Sequence, residues 1–105
     1  MWIGEKVWID NLGSVSIGNN VCISQGAMLL TGNHNYYSET FDLMVRPIVV
    51  EDGVWIGAKA TIAPGVTCKA NSVLTMGSVL TGNMENNAIY QGNPAVKKKV
   101  RTFKS

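Results

Sequence analysis

Charge is scarce in this chain. Of 105 residues, nine are Lys or Arg and seven are Asp or Glu, for a net charge of +2. Much of the positive excess lies in the last ten residues, Val96-KKKVRTFKS. No basic stripe runs along the body and no aromatic–basic interleaving appears, so a nucleic-acid partner is not expected. Histidine is reduced to one residue, His34. A catalytic zinc site of the imidazole type takes roughly three histidines, and one per chain cannot supply them in a two-plus-one arrangement across an interface. No metal is expected. The two cysteines, Cys22 and Cys68, lack CxxC spacing and read as structural thiols. No apolar run approaches the roughly 20 residues of a membrane span, and the N-terminus has no secretory h-region. These absences give a cytoplasmic expectation.

What the chain has in abundance is a period of six. Six consecutive hexads run from Val50 to Glu85: Val50-EDGVW, Ile56-GAKAT, Ile62-APGVT, Cys68-KANSV, Leu74-TMGSV and Leu80-TGNME. The first position is always apolar, and Gly, Ala, Asp, Asn and Pro crowd the middle. This period matches neither a simple strand nor a helix. It suits a short strand and a tight turn, repeated so that each apolar residue stacks on its equivalent in the next coil of a parallel β-helix. Upstream, Ile3-GEKVW and Ile9-DNLGS keep the period, and Val15 and Ser16 read as two extra residues. Ile17-GNNVC, Ile23-SQGAM and Leu29-LTG then resume it. A composition 46% apolar and only 15% charged suits such a stack.

The pattern disappears at about residues 32–47, where Asn33-HNYYSETFDLMVR is polar, aromatic and charged. A break of this length in a repeat array maps to a loop excursion, and loops on a stiff scaffold are where function concentrates. His34, whose unperturbed pKa is near neutral, falls inside it. The organisation expected is one β-helix domain over 1–105, with an inserted loop at 33–47 and a basic helix or tail at 96–105.

The combination of the repeat array, Thr31-Gly32-Asn33-His34, the Val54-Trp55-Ile56-Gly57 hexad and the closing Gly92-Asn93-Pro94-Ala95 resembles the hexapeptide-repeat O-acetyltransferases, in particular the colanic-acid (exopolysaccharide) branch. The resemblance extends from Trp2 to about Lys99. It implies a left-handed parallel β-helix, assembled as a homotrimer with active sites between subunits. It also implies acetyl-CoA as co-substrate and a sugar or glycan acceptor.

By that resemblance His34 is the general base that takes the proton of the attacking hydroxyl. The backbone N–H of Ala58 is the oxyanion donor, and Trp55 covers the reacting groups. Met76 and Thr81 match positions near the pantetheine arm. Gly92, Asn93, Pro94 and Ala95 form the turn over which the nucleotide end passes, and Lys99, with its basic neighbours Lys97, Lys98 and Arg101, is a candidate for the phosphates. Val96 stands where many family members carry a basic residue. Asp10 and Asn11 are candidate acceptor contacts, although polar residues at turn corners have the plainer reading of shaping the turn. From their place in the loop, Glu39 or Asp42 is a candidate to orient His34, and solvation of the loop is the other reading of both.

Members of the branch usually carry a substantial segment before the equivalent of Trp2. This chain opens inside the array, so its first coil is expected to lack a cap. Three readings follow: an acetyl-CoA-dependent O-acetyltransferase acting on a sugar or polysaccharide precursor by direct attack, a hexapeptide acetyltransferase on a non-sugar acceptor such as an amine or an antibiotic hydroxyl, and a non-catalytic scaffold.

Overall fold

The computed structural model describes residues 1–40 and 42–102; Phe41 of the expected loop and residues 103–105 of the expected tail lie outside them. Each strand forms where the sixth residue of one hexad meets the first of the next, because those residues sit between turns. In the first coil these are β1 (Trp2–Ile3), β2 (Trp8–Asp10) and β3 (Val15–Ile17). The second coil holds β4 (Cys22–Ile23) and β5 (Met28–Leu30), then a hairpin of β6 (Gly32–His34) and β7 (Leu43–Val45), and returns through β8 (Ile48–Val50). The third coil is β9 (Trp55–Ile56), β10 (Thr61–Ile62) and β11 (Thr67–Cys68). The fourth has β12 (Val73–Leu74), β13 (Val79–Leu80) and a bridge from Met84 to Cys68. The chain closes with β14 (Ala88–Gly92) and β15 (Ala95–Val100).

Strands of successive coils pair in parallel, giving a prism with three sheets. Sheet one runs β1-β4-β9-β12-β14-β15, sheet two β13-β10-β5-β2, and sheet three β11-β8-β3. The register places each hexad anchor on its equivalent, Ile23 against Ile56 and Ile56 against Leu74. The anchors Ile23, Ile56, Leu74, Leu29, Ile62, Leu80, Val50 and Cys68 are at most 1% exposed. Each contributes roughly 1.5–3 kcal/mol of apolar burial for the aliphatic ones. Burial, with the Glu51 charge secondarily, pushes the Cys68 thiol up to about 12, so it acts as a small hydrophobe.

The turns between strands share one backbone solution. The fourth hexad position takes a left-handed φ both where it is glycine (Gly26, +70°; Gly77, +68°) and where it is not (Lys59, 57°; Asn71, 62°). Each such turn sits on the one below through a backbone bond, as when the Lys59 N–H donates to the Gln25 carbonyl at 2.9 Å and the Gly77 N–H to the Ala58 carbonyl at 2.8 Å.

Three sequence expectations change. Val15 and Ser16 lie in β3, paired with Ile48 and Val49, so the extra residues are absorbed by the turn at 11–14. The excursion is a hairpin, with Gly32 opposite Val45 and His34 opposite Leu43. Residues 95–100 form a strand antiparallel to β14, where composition suggested a helix or tail. The strand wins because it satisfies the open backbone edge of β14, and its lysines discourage further pairing on the far side.

Candidate functional site

The three edges of the prism separate the candidate residues. The first edge, between sheets one and two, carries the turns after β4, β9 and β12. A cavity of about 440 Å³ opens there, lined by Ser24, Gln25, Trp55, Gly57, Ala58 and Met76 among others. Gly57 lets the next coil pack close against this turn: a Cβ at that point would lie 2.5 Å from the Met76 nitrogen and 2.7 Å from the Thr75 carbonyl carbon. The Trp55 indole is 48% exposed yet fixed, since its Nε1–H donates to Ser24 Oγ at 3.0 Å across the rung between coils. The Gly57 N–H is used by the Leu74 carbonyl, while no group among the described residues accepts from the Ala58 N–H. Gln25 and Met76 occupy the same turn position on the coils before and after, so Ala58 is the middle of three stacked turns that line the cavity.

The same edge carries Gly92, Asn93, Pro94 and Ala95. They form the tight turn between β14 and β15, with a cis Asn93–Pro94 bond and Gly92 at φ +112°. This turn is tied back to the edge, because the Gly92 N–H donates to Ser78 Oγ at 3.1 Å and Ser78 is buried beside Thr75.

The second edge, between sheets two and three, carries the hairpin. His34 ends β6 and, with Asn33, Asn35, Tyr36, Tyr37 and Met44, lines a shallow depression of about 160 Å³. Its backbone N–H donates to Asn33 Oδ1 at 2.8 Å. The root of the hairpin is held by Asp10 and Thr31. Thr31, fully buried, donates through Oγ1 to the Asp10 carbonyl at 2.6 Å and accepts from the Gly13 N–H at 2.9 Å. The Asp10 carboxylate accepts from the Gly32 N–H at 3.3 Å. At the tip, Asp42 accepts from Thr40 Oγ1 at 2.6 Å and Ser38 Oγ at 3.3 Å.

Trp55, Ala58, Met76 and the Gly92–Ala95 turn are therefore gathered on one edge, and His34 stands on another. Thr81 follows β13 and falls on the His34 edge, two rungs from the hairpin, away from Met76. Asp10 is engaged in holding Gly32, while Asn11 is exposed beside a separate pocket with Gly13 and Ser14. Lys99 lies opposite Ile89 in β15, carried by that strand away from the Gly92 turn. Lys97 pairs with Glu85 at 2.8 Å; hydrogen bonding and charge hold the Glu85 carboxyl below and the Lys97 ammonium above their ordinary values. The Arg101 guanidinium donates to the Gly53 carbonyl at 2.9 Å and the Asn71 carbonyl at 3.4 Å, buttressing the third edge. Ser24 and Ser78 were not apparent from the sequence, because a serine in a turn carries no signal of what it will touch.

The comparisons with known proteins agree with this architecture. Residues 47–82 match the model described as the hexapeptide repeat of succinyl-transferase. The chain is 35% identical over 95 residues to the putative colanic acid biosynthesis acetyltransferase WcaF of Escherichia coli, covering 90% of this chain and 52% of that protein. It is 36% identical over 84 residues to the galactoside O-acetyltransferase of Escherichia coli, covering 77% of this chain and 41% of that one. A solved galactoside acetyltransferase in complex with coenzyme A superposes with a TM-score of 0.84 at 27% identity, covering 95% of this chain and 55% of that one. The fold is thus the left-handed parallel β-helix. The chain belongs to the hexapeptide-repeat acetyltransferase family, and spans about half the length of the relatives it matches.

No helix among the described residues is long and apolar enough to cross a membrane.

Proposed function

We propose that the chain is the catalytic β-helix of an acetyl-CoA-dependent O-acetyltransferase whose acceptor is a hydroxyl of a sugar or polysaccharide precursor. The observation that carries the reading is the first-edge cavity, with its fixed Trp55 indole and unengaged Ala58 N–H. At about 440 Å³ it falls in the range of small-molecule pockets. A cavity lined by an indole, a methionine and backbone accommodates a narrow thioester-bearing arm, and the relatives named above are acetyltransferases.

In this reading His34 takes the proton of the acceptor hydroxyl as its oxygen attacks the thioester carbonyl. The carbon–oxygen bond forms, the carbon–sulfur bond breaks and the thiolate of CoA leaves, to be protonated in turn. The Ala58 N–H holds the developing oxyanion, a donor that needs no reorganisation at the moment of reaction. Trp55 and Met76 flank the arm. The turn from Gly92 to Ala95, made of small residues with a proline, lets the nucleotide end pass close to the backbone. Lys98 and Lys99, exposed further along β15, are candidates for its phosphates once the nucleotide has passed the turn, and Thr81 meets the arm from the second edge of a neighbouring copy.

Because His34 and the cavity stand on different edges, one copy cannot complete the site, and two edges meet when copies pack side by side. A homotrimer closes this arrangement symmetrically. The reading places the protein in the cytoplasm, where its two free thiols would stay reduced.

The test is His34→Ala in the purified protein, read by thiol release from acetyl-CoA and by calorimetric titration. Turnover should fall about 10²–10⁴-fold, the usual worth of a general base, with acetyl-CoA binding retained. Unchanged turnover would remove His34 from the mechanism. A strict monomer by light scattering would remove the shared site.

A further inference from the structure

Beside His34 lies a second depression, of about 200 Å³, closed by Arg46, Ala63 and Pro64. The two hollows share Asn33 and Met44 and so adjoin along the second edge, with His34 lining one and Arg46 the other.

Arg46 is held in place from two sides. Its backbone N–H donates to the Thr31 carbonyl at 2.9 Å, at the root of the hairpin. Its aliphatic stem lies over the turn at Gly65, with Cδ 3.2 Å from where a Cβ on that glycine would stand. A Cβ on Gly65 would crowd the stem, and the φ of +81° there favours glycine in any case. The guanidinium makes no ion pair or hydrogen bond among the described residues. The acidic side chain nearest in the hairpin sequence, Asp42, is engaged with Thr40 and Ser38. By contrast, Lys97 and Arg101 are committed to Glu85 and to backbone carbonyls. A guanidinium presents a planar fork suited to two oxygens of one anionic group.

We infer that the acceptor is anionic, a saccharide whose carboxylate or phosphate pairs with Arg46 while its reacting hydroxyl lies at His34. This rests on the transferase reading and adds the charge class of the acceptor. Arg46 is a specificity-determining residue that touches the substrate away from the reacting atoms.

The experiment compares glucose, glucuronic acid and glucose 1-phosphate, which share a ring and differ in the presence and source of charge. Each is measured two ways: by thiol release in the presence of acetyl-CoA, and by saturation-transfer NMR binding in its absence. At least one charged sugar should exceed glucose by about tenfold in kcat/KM, mostly through KM, a difference typical of one charge-assisted contact. Arg46→Gln should collapse that ratio toward one, and Arg46→Lys should keep part of it. Whichever of the two charged sugars is preferred identifies the source of the anion. A ratio unchanged in Arg46→Gln, or glucose performing as well as both charged sugars, overturns the inference. Should no sugar be acetylated while charged-sugar binding is seen and lost in Arg46→Gln, the acceptor site stands and the transferase reading fails. Should neither transfer nor charged-sugar binding occur, both fail.

Discussion

The coils and the hairpin are built on opposite terms. In the coils, backbone groups of each strand and turn are tied to the coils beside them, and the anchors Ile23, Leu29, Ile56 and Ile62 are inaccessible to water. In the hairpin, β6 and β7 pair only with each other, and Tyr36, Tyr37 and Leu43 are 71%, 89% and 55% exposed. The hairpin meets the body chiefly at its root, through Thr31, Asp10 and Arg46. The difference teaches that rigidity and freely exposed side chains are assigned to separate parts. The stack fixes where a loop begins, and the loop is then free to carry polar groups that a packed coil would have to exclude.

The sharpest way to break that contrast is to delete side-chain volume on each side of it. Leu29→Ala, in the stack just below the hairpin, should cost about 2–5 kcal/mol by denaturant titration. Tyr37→Ala should stay within about 0.5 kcal/mol of the parent, as exposed substitutions do. Equal losses would mean that the hairpin is part of the cooperative core. A smaller effect separates positioning from packing on the first edge. Ser24→Ala removes the partner of the Trp55 indole and should cost about 0.5–1.5 kcal/mol, with a red-shifted or less anisotropic tryptophan emission as the indole loosens. An unchanged emission would show that the ring is held by packing alone. The smallest effect belongs to the Lys97–Glu85 pair, which is solvent-exposed and screened. The Glu85 carboxyl is held low, so any stability it contributes is present above its ordinary pKa and is lost as pH falls through the lowered one. Lys97, held high, keeps its share up to alkaline pH. Glu85→Gln should therefore melt as the parent does in high salt at neutral pH; a clear drop there would give β15 a larger structural role.

The hexads made the stack legible because position one is a physical requirement: only an apolar residue fits the interior of so narrow a prism. Hence Ile56, Ile62, Cys68, Leu74 and Leu80 are buried as their period indicated. The closing strand was less legible. Lys97, Lys98 and Lys99 read as a solvated segment, although Ala88-IYQ, the Gly92-Asn93-Pro94 turn and Ala95-VKKKV spell a hairpin once the turn is given weight over the charge. For the site, motif resemblance located His34 and Trp55 on the chain, but which edge each occupies depends on counting turns from the preceding strand. That is why Thr81 falls on the hairpin's edge, two rungs along, and Met76 on the edge of the indole. Ser24 and Arg46 were missed for another reason: their roles arise from what the next coil sets beside them, the Trp55 indole and the Gly65 turn, and no single hexad records its neighbour.

The pairing of Ile56 with Leu74, eighteen residues on, has an arithmetic consequence. Three hexads return the chain to the same edge, one rung of roughly 4.8 Å further along. Inserting or removing a whole coil would therefore lengthen or shorten the prism and leave every edge with its own residues. Removing a single hexad between Ile56 and Leu74 would instead turn all that follows by a third of a revolution, carrying the Gly92–Ala95 turn off the edge that bears Trp55. For this molecule, position around the axis is a remainder and distance along it a quotient. Length can drift in evolution by eighteens, while a change of six is a change of address.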